Sequence, residues 1–204
     1  VAKLNRDAVI TEALDLLDEV GLDKISTRGL ARRLGVEQPS LYYHFAKKED
    51  LLSAMAEAAM APHATAPLPT STDDWYDWFL ENHRSFRRTL LIRRDGARLH
   101  AGIRPSAADR ERIGHKMAFL IGSGFSEHHA QLAMLAASRF TVGSVLEEQA
   151  EADSPGQPAG SEGPRIDHEL AYEAGLALIA DGFAAHRTTS TRSDGGARLG
   201  EAPR

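Results

Sequence analysis

Apolar positions recur along this chain at helical spacing, and no run alternates with period two for long enough to make a strand. The first stretch sets Ile10, Ala13, Leu14, Leu17 and Val20 on one face. Asn5 precedes it as an N-cap, Leu4 and Val9 are spaced to close a hydrophobic staple, and Gly21 ends it. A second helix opens at Ser26 or Thr27 and turns Leu30, Ala31 and Leu34 inward. Gly35-Val36-Glu37 then breaks the pattern, and Pro39 falls where a third helix opens, a place that suits a residue with no amide hydrogen to leave unpaired. Leu41 and Phe45, four residues apart, pack inward from that helix. Together these make a three-helix head containing a helix-turn-helix.

A fourth helix over 48–60 carries Leu51, Leu52, Met55 and Ala59 and has to stop before Pro62. Residues 62–74, with three prolines and no aromatic residue, read as a connection over the surface. Asp74 caps a long helix to about residue 92, with Trp75, Phe79, Asn82, Phe86 and Leu90 as its inward stripe. An unpartnered buried amide costs about 1–3 kcal/mol, so Asn82 either bonds to neighbouring backbone or faces a polar ligand. A short helix over 95–100 ends at Gly102. Ser106 and Asp109 open the next, in which Ile113, Lys116, Met117 and Leu120 share a face and which Gly124 closes. Ser126 caps another, reaching about residue 151, whose stripe of Leu132, Leu135, Phe140, Val142 and Leu146 is broken by Gln131 and Arg139. Residues 152–165, with three prolines and three glycines, read as a flexible loop. The last helix, 167–186, mixes Leu170, Leu178, Ile179 and Phe183 with Ala171, Ala174, Gly175 and Ala177, small enough for another helix to come close, and reads as a dimer helix. The fold class is all-α: a helix-turn-helix domain over 1–47, a larger helical domain over 48–187 that carries the dimer helix, and a disordered tail over 188–204.

Charge sharpens this picture. The 204-residue chain carries a formal −5, yet 24–48 holds Lys24, Arg28, Arg32, Arg33, Lys47 and Lys48 against Glu37 alone, six minus one, or +5. A basic stretch on an acidic protein is what a phosphate-gripping surface requires. The third helix adds groups that read or grip double-stranded DNA: the Gln38 amide can pair with adenine, and Ser40, Tyr42, Tyr43 and His44 can reach phosphates or a thymine methyl.

Several functions are disfavoured. Without cysteine there is neither a disulfide framework nor a thiolate metal site, which fits a reducing cytosol. No apolar run approaches the ~20 residues that span a bilayer, and the polar start is unlike a signal peptide, so a cytoplasmic protein with no membrane partner is expected. Gly122-Ser123-Gly124 lacks the third glycine of a dinucleotide loop, and no H-E-x-x-H or nucleophile elbow occurs, so the chain does not read as an enzyme.

Residues 4–52, with T-R-x-L-A-x-x-L-G in the second helix and V-E-Q-P-S-L-Y-Y-H through the third, resemble the DNA-binding head of the tetracycline-repressor (TetR) family. SFRRTLLIRRDGARLHAGIRP (85–105) and SRFTVGSVLEEQ (138–149) resemble the inducer-binding core of its tetracycline-responsive members. The resemblance implies a homodimeric repressor released from its operator by a small-molecule inducer, with 48–187 as its helical ligand-binding and dimerisation domain. For DNA contact it implies Thr27, Arg28, Gln38, Pro39, Ser40, Tyr42, Tyr43, His44 and Lys48, with Arg28 at a base edge. For the ligand it implies Asn82, Phe86, His100, Arg104, Pro105, Ile113, Lys116, Met134 and Glu147. No cofactor is obligatory; Mg²⁺ carried with the inducer would be held by His100 and, through water, by Glu147 of the other subunit. The chain departs from the tetracycline pattern at Ala64, preceded by His63, and at Ile103, Lys116 and Arg139. A lysine repels a cationic Mg²⁺–drug chelate unless a carboxylate, from Glu148 or from the ligand itself, neutralises it. The inducer is therefore Mg²⁺–tetracycline, or a related polycyclic or more anionic compound. The alternative is a helical small-molecule-binding protein or enzyme that uses the His100 and Glu147 site.

Overall fold

The computed structural model describes residues 5–101, 105–153 and 167–188. The Leu4 staple, Gly102, Ile103, Arg104, the loop from residue 154 and the tail from residue 189 lie outside the described residues. Within them the chain forms α1 (Arg6–Val20), α2 (Thr27–Leu34), α3 (Gln38–Tyr42), α4 (Lys48–Ala64), α5 (Trp75–Leu91), α6 (Gly96–Ala101), α7 (Ala107–Gly122), α8 (Glu127–Asp153) and α9 (His168–Ala184), and no strand.

Local chemistry fixes the head. Asn5 Oδ1 accepts from the Ala8 amide at 2.7 Å, and Ser26, rather than Thr27, caps α2 by accepting from the Gly29 amide at 3.1 Å. Gly35 closes α2 in the left-handed region at φ 66, where a side chain would be strained. Helix α3 is shorter than the pattern predicts, so Tyr43 and His44 follow its last turn. The head core does not close on three helices. Val9, Leu17, Leu30, Leu41 and Phe45 are completed by Leu51 and Met55 of α4 and by Leu99 of α6.

Pro62 does not stop α4, contrary to the sequence expectation; it lies inside the helix, which runs on to Ala64. A proline this near the end removes one amide from the last turn, and Thr65 closes that turn with both its amide and its hydroxyl donating to the Ala61 carbonyl, at 2.9 and 2.8 Å. The extra turn carries His63 into the body.

Two predicted stripes are redrawn. On α5, Trp75, Phe79, Phe86 and Leu90 are buried as expected, but Asn82 is only half-buried, and His83 and Arg87 occupy the interior. Because α5 packs against α4 on one side and α8 and α9 on the other, its buried surface is wider than one stripe. His83 satisfies Nδ1 on the Phe79 carbonyl at 2.8 Å. Arg87 pairs with Glu148 at 2.7 Å and Glu169 at 2.6 Å and lies over the Tyr172 ring. On α8 the residues that face the core are small, Ala130, Ala133, Ala137, Thr141 and Val145, whereas Leu132 and Leu135 are exposed. Close helix approach selects small side chains at the crossing: at Gly175 of α9 a Cβ would lie 2.3 Å from the Phe140 ring. Leu170 and Leu178 of α9 also face outward, 68% and 73% exposed. Helix α8 continues to Asp153, and Thr188 is held by two bonds to the Gly124 carbonyl, so neither belongs to the flexible segments expected there.

Candidate functional site

The outer face of α2 and α3 presents Arg28, Arg32, Pro39, Ser40, Tyr42 and Tyr43 to solvent, with Tyr43 90% exposed. Leu41 and Phe45 anchor the opposite face in the head core, which fixes this orientation. Gln38 Nε2 donates to Thr27 Oγ1 at 2.9 Å and to Tyr42 Oη at 3.3 Å, so the amide is positioned with its oxygen left as acceptor. Arg6 lies over the Phe45 ring and donates to the His44 carbonyl at 2.9 Å, pinning the chain after α3. Lys48 is exposed at the start of α4. Arg33, one of the six basic residues of the stretch, is taken up by Glu12 and Glu19 of α1 and stabilises the head instead. Sequence counting could not separate it from its neighbour Arg32, because the two carboxylates come from another helix.

The head meets the body through α6. Gly96 begins that helix against the end of α5, where a Cβ would lie 2.1 Å from the Leu90 carbonyl oxygen. Asp95, at φ 55, accepts from the Leu22 amide at 2.7 Å and from Arg98 at 3.0 Å. Arg98 continues to Asp23, Arg93 pairs with Asp15 and Asp18, and Arg94 reaches Asp18, the Glu19 carbonyl and Asp153. The sequence reading assigned this stretch to the ligand core and missed that its charges grip α1. Leu99 enters the head core, while its neighbour His100 turns to the body and lies edge-on to Phe86, ring centroids 5.0 Å apart.

A cleft of about 640 Å³ opens between the end of α4, α5, α7 and the 65–74 connection. His63 and Lys116 line it together with Asn82, Ser85, Trp78 and Arg112. Arg112 donates to the Ala66 carbonyl at 2.5 Å and His115 bonds the Pro69 carbonyl at 2.8 Å, so α7 holds the connection in place. His63 lies 5.4 Å from Phe86, which carries the cleft's aromatic wall on to His100. Burial and the nearby Lys116 push the His63 pKa down to about 3, and burial also lowers that of His100. Of the predicted ligand residues the structure brings Asn82 and Lys116 into the cleft, with Phe86 and His100 adjoining through His63. Ile113 is exposed on α7, Pro105 is exposed before it, Met134 is half-buried on α8 and Glu147 is exposed on α8; none of these four lines the cleft. Glu148, expected as a neutraliser of Lys116, is instead bound to Arg87, because α8 and α9 place two carboxylates against that guanidinium.

Two family models match the chain. The family described as "Bacterial regulatory proteins, tetR family" matches residues 9–55, and "Tetracyclin repressor-like, C-terminal domain" matches residues 66–167. The class A tetracycline repressor protein from transposon 1721 of Escherichia coli is 44% identical, over 96% of this chain and 97% of its own length. Among solved structures, a TetR-family transcriptional regulator from Streptomyces coelicolor is 66% identical with a TM-score of 0.70, covering 89% of this chain and 99% of that one. A class A TetR in complex with 5a,6-anhydrotetracycline and magnesium is 45% identical with a TM-score of 0.76, covering 90% of this chain and 100% of that one.

Proposed function

We propose, for a chain that belongs to the tetR family of bacterial regulatory proteins, a division of labour in one ligand-responsive transcriptional repressor: the head holds operator DNA and the cleft receives the inducer. The protein acts as a homodimer, and none of its described helices is long and apolar enough to cross a membrane. Gln38 and Arg28 read base edges; Thr27, Ser40, Tyr43, His44 and Lys48 hold phosphates; Pro39 and Tyr42 lie against the groove wall. Exposed Leu132, Leu135, Leu170 and Leu178 supply an apolar face on α8 and α9 that a two-fold partner buries. Binding to operator DNA places its work in the cytoplasm.

The observation that carries the switch is the adjacency of Leu99 in the head core and His100 beside the cleft. A ligand that draws His100 moves α6, and α6 cannot move without the head. In a dimer that shift changes the spacing of two recognition helices, which must match major grooves about 34 Å apart. Shifting such an equilibrium from 1:99 to 99:1 needs about 5.5 kcal/mol of differential affinity between the two states.

Mg²⁺ carried by a tetracycline would be held by His100, but the cleft does not fit a cationic chelate. A hard dication asks for oxygen ligands, whereas buried Lys116 and half-buried Arg112 line the cleft beside His63 and its carboxylates lie exposed on the solvent side.

Fluorescence anisotropy on a duplex from the DNA flanking the gene, against a scrambled duplex across a salt series, tests the repressor reading. A specific operator binds about 10³ to 10⁷ times tighter than random sequence. Equal affinities would mean a non-specific DNA-compacting protein, and no binding would favour a ligand carrier.

A further inference from the structure

Lys116 sits on α7 at 8% exposure, and among the described residues it makes no ion pair. Its one hydrogen-bond partner among the described residues is His63, Nζ to Nε2 at 3.4 Å. An ammonium only donates, so Nε2 accepts; the ring's single proton is then on Nδ1, which donates to Ser85 Oγ at 3.1 Å. His63 is thus a neutral spacer that cannot balance the lysine. Arg112, four residues away on the same helix, adds a second positive charge to the cleft, and its one hydrogen bond goes to a neutral carbonyl.

None of the carboxylates of the cleft forms an ion pair with Lys116 or Arg112 among the described residues. Asp73, Asp74, Asp77 and Glu81 are all exposed, on its solvent side. Asp73 accepts from Thr70, Asp74 caps α5, and Glu81 pairs with Arg88. Asp109, the acid on α7 that acts on Lys116, is bound into the Ser106 cap. Burial lowers the Lys116 pKa to about 8, so the group still carries its proton at neutral pH. An unpaired ammonium in such a place is costly, and a ligand that brings the missing negative charge recovers that cost on binding. Asn82 and Ser85 offer hydrogen bonds beside it, and Trp78, with Pro67 and Leu68, offers flat apolar surface. At about 640 Å³ the cleft falls within the ~300–1,000 Å³ that holds drug-sized molecules.

We propose that the cleft takes an anionic, planar polycyclic ligand whose carboxylate or phenolate pairs with Lys116, and that this binding needs no divalent cation. For its effect on DNA the inference rests on the repressor reading; for binding it does not. The competing source of negative charge is Glu147 of a second copy of this chain, which would cancel the field and remove any preference for an acid.

The test uses the full-length dimer, with calorimetric titrations of anthraquinone-2-carboxylate and its neutral isostere anthraquinone-2-carboxamide in EDTA. The acid should bind the natural chain about tenfold more tightly than the amide, the size expected of a hydrogen bond to a charged group, and Lys116→Gln should abolish that preference. Tetracycline with Mg²⁺ should bind Lys116→Gln more tightly than the natural chain. Circular dichroism checks that the variant is folded; were it not, the acid-to-amide ratio on the natural chain alone decides. Equal binding of acid and amide, failure of the acid to bind, an undiminished preference in Lys116→Gln, or tetracycline–Mg²⁺ binding the natural chain as tightly as the variant would each overturn the proposal. Operator release is read separately by anisotropy. Acid that binds through Lys116 and leaves the operator bound keeps this inference and removes the inducer reading.

Discussion

The DNA-reading face and the ligand cleft use the same kinds of residue in opposite ways. On the head, arginine, histidine and tyrosine stand outside an apolar core, and function needs only that they be presented at the right angle. In the cleft, histidine and lysine lie inside, and function needs polar groups that survive burial. The first arrangement is local, built from two helices and a turn. The second joins His63 to Lys116 across 53 residues of sequence, and its charge balance depends on which carboxylates other helices have already claimed.

The sharpest way to break the separation is through Leu99, which belongs to the body by sequence and to the head by packing. Leu99→Ala should cost about 2–5 kcal/mol in a denaturant titration, the range for emptying a buried leucine site. It should also weaken the response of operator binding to any cleft ligand. A loss below 1 kcal/mol would mean that the head does not lean on α6.

Next in size is the cost of burying Lys116. Its folded pKa of about 8 lies below its ordinary 10.5, so the folded state binds fewer protons in that window and stability rises as pH climbs through it. Lys116→Met should therefore be more stable than the natural chain at pH 7, with the gain shrinking between pH 8 and 10.5. His63, held neutral with its pKa pushed down to about 3, does not titrate in that window, so the difference between the two proteins reports on Lys116. A gain that is flat with pH would show that burial leaves the pKa of the lysine unshifted.

On the head, Gln38→Ala should cost about 1–3 kcal/mol on the operator and little on random DNA. Comparable losses on both would remove Gln38 from base reading. The smallest effect separates two adjacent arginines. Arg32→Ala should lower the slope of log affinity against log salt by about one unit, whereas Arg33→Ala should leave that slope unchanged and lower the melting temperature. A matching change in slope for both would mean that Glu12 and Glu19 release Arg33 to DNA.

Much of the head was readable in order along the chain. Asn5, Gly21, Ser26 and Gly35 act through groups within four residues of themselves, so their effect is written locally. The body was less legible for the same reason inverted. Pro62 reads as a stop from its ring alone, but a proline in a last turn costs one bond, and Thr65 closes that turn. The α8 leucines look like core from their spacing, yet the nearest helices come too close for them and select alanine. Asn82 and Lys116 were identified as cleft residues, while His63 entered only because α4 runs one turn further.

The sequence by itself determined the helical class, the helix-turn-helix and its caps, because periodicity and capping are short-range properties of the backbone. Only the tertiary structure decided which charges are free. Arg33 and Glu148 look no different along the chain from Arg32 and Glu147, but the first pair meets partners on other helices and the second makes no ion pair among the described residues. Whether a charged group serves DNA, a ligand or the fold is set by desolvation and by the partner that reaches it first, and both depend on residues tens of positions away.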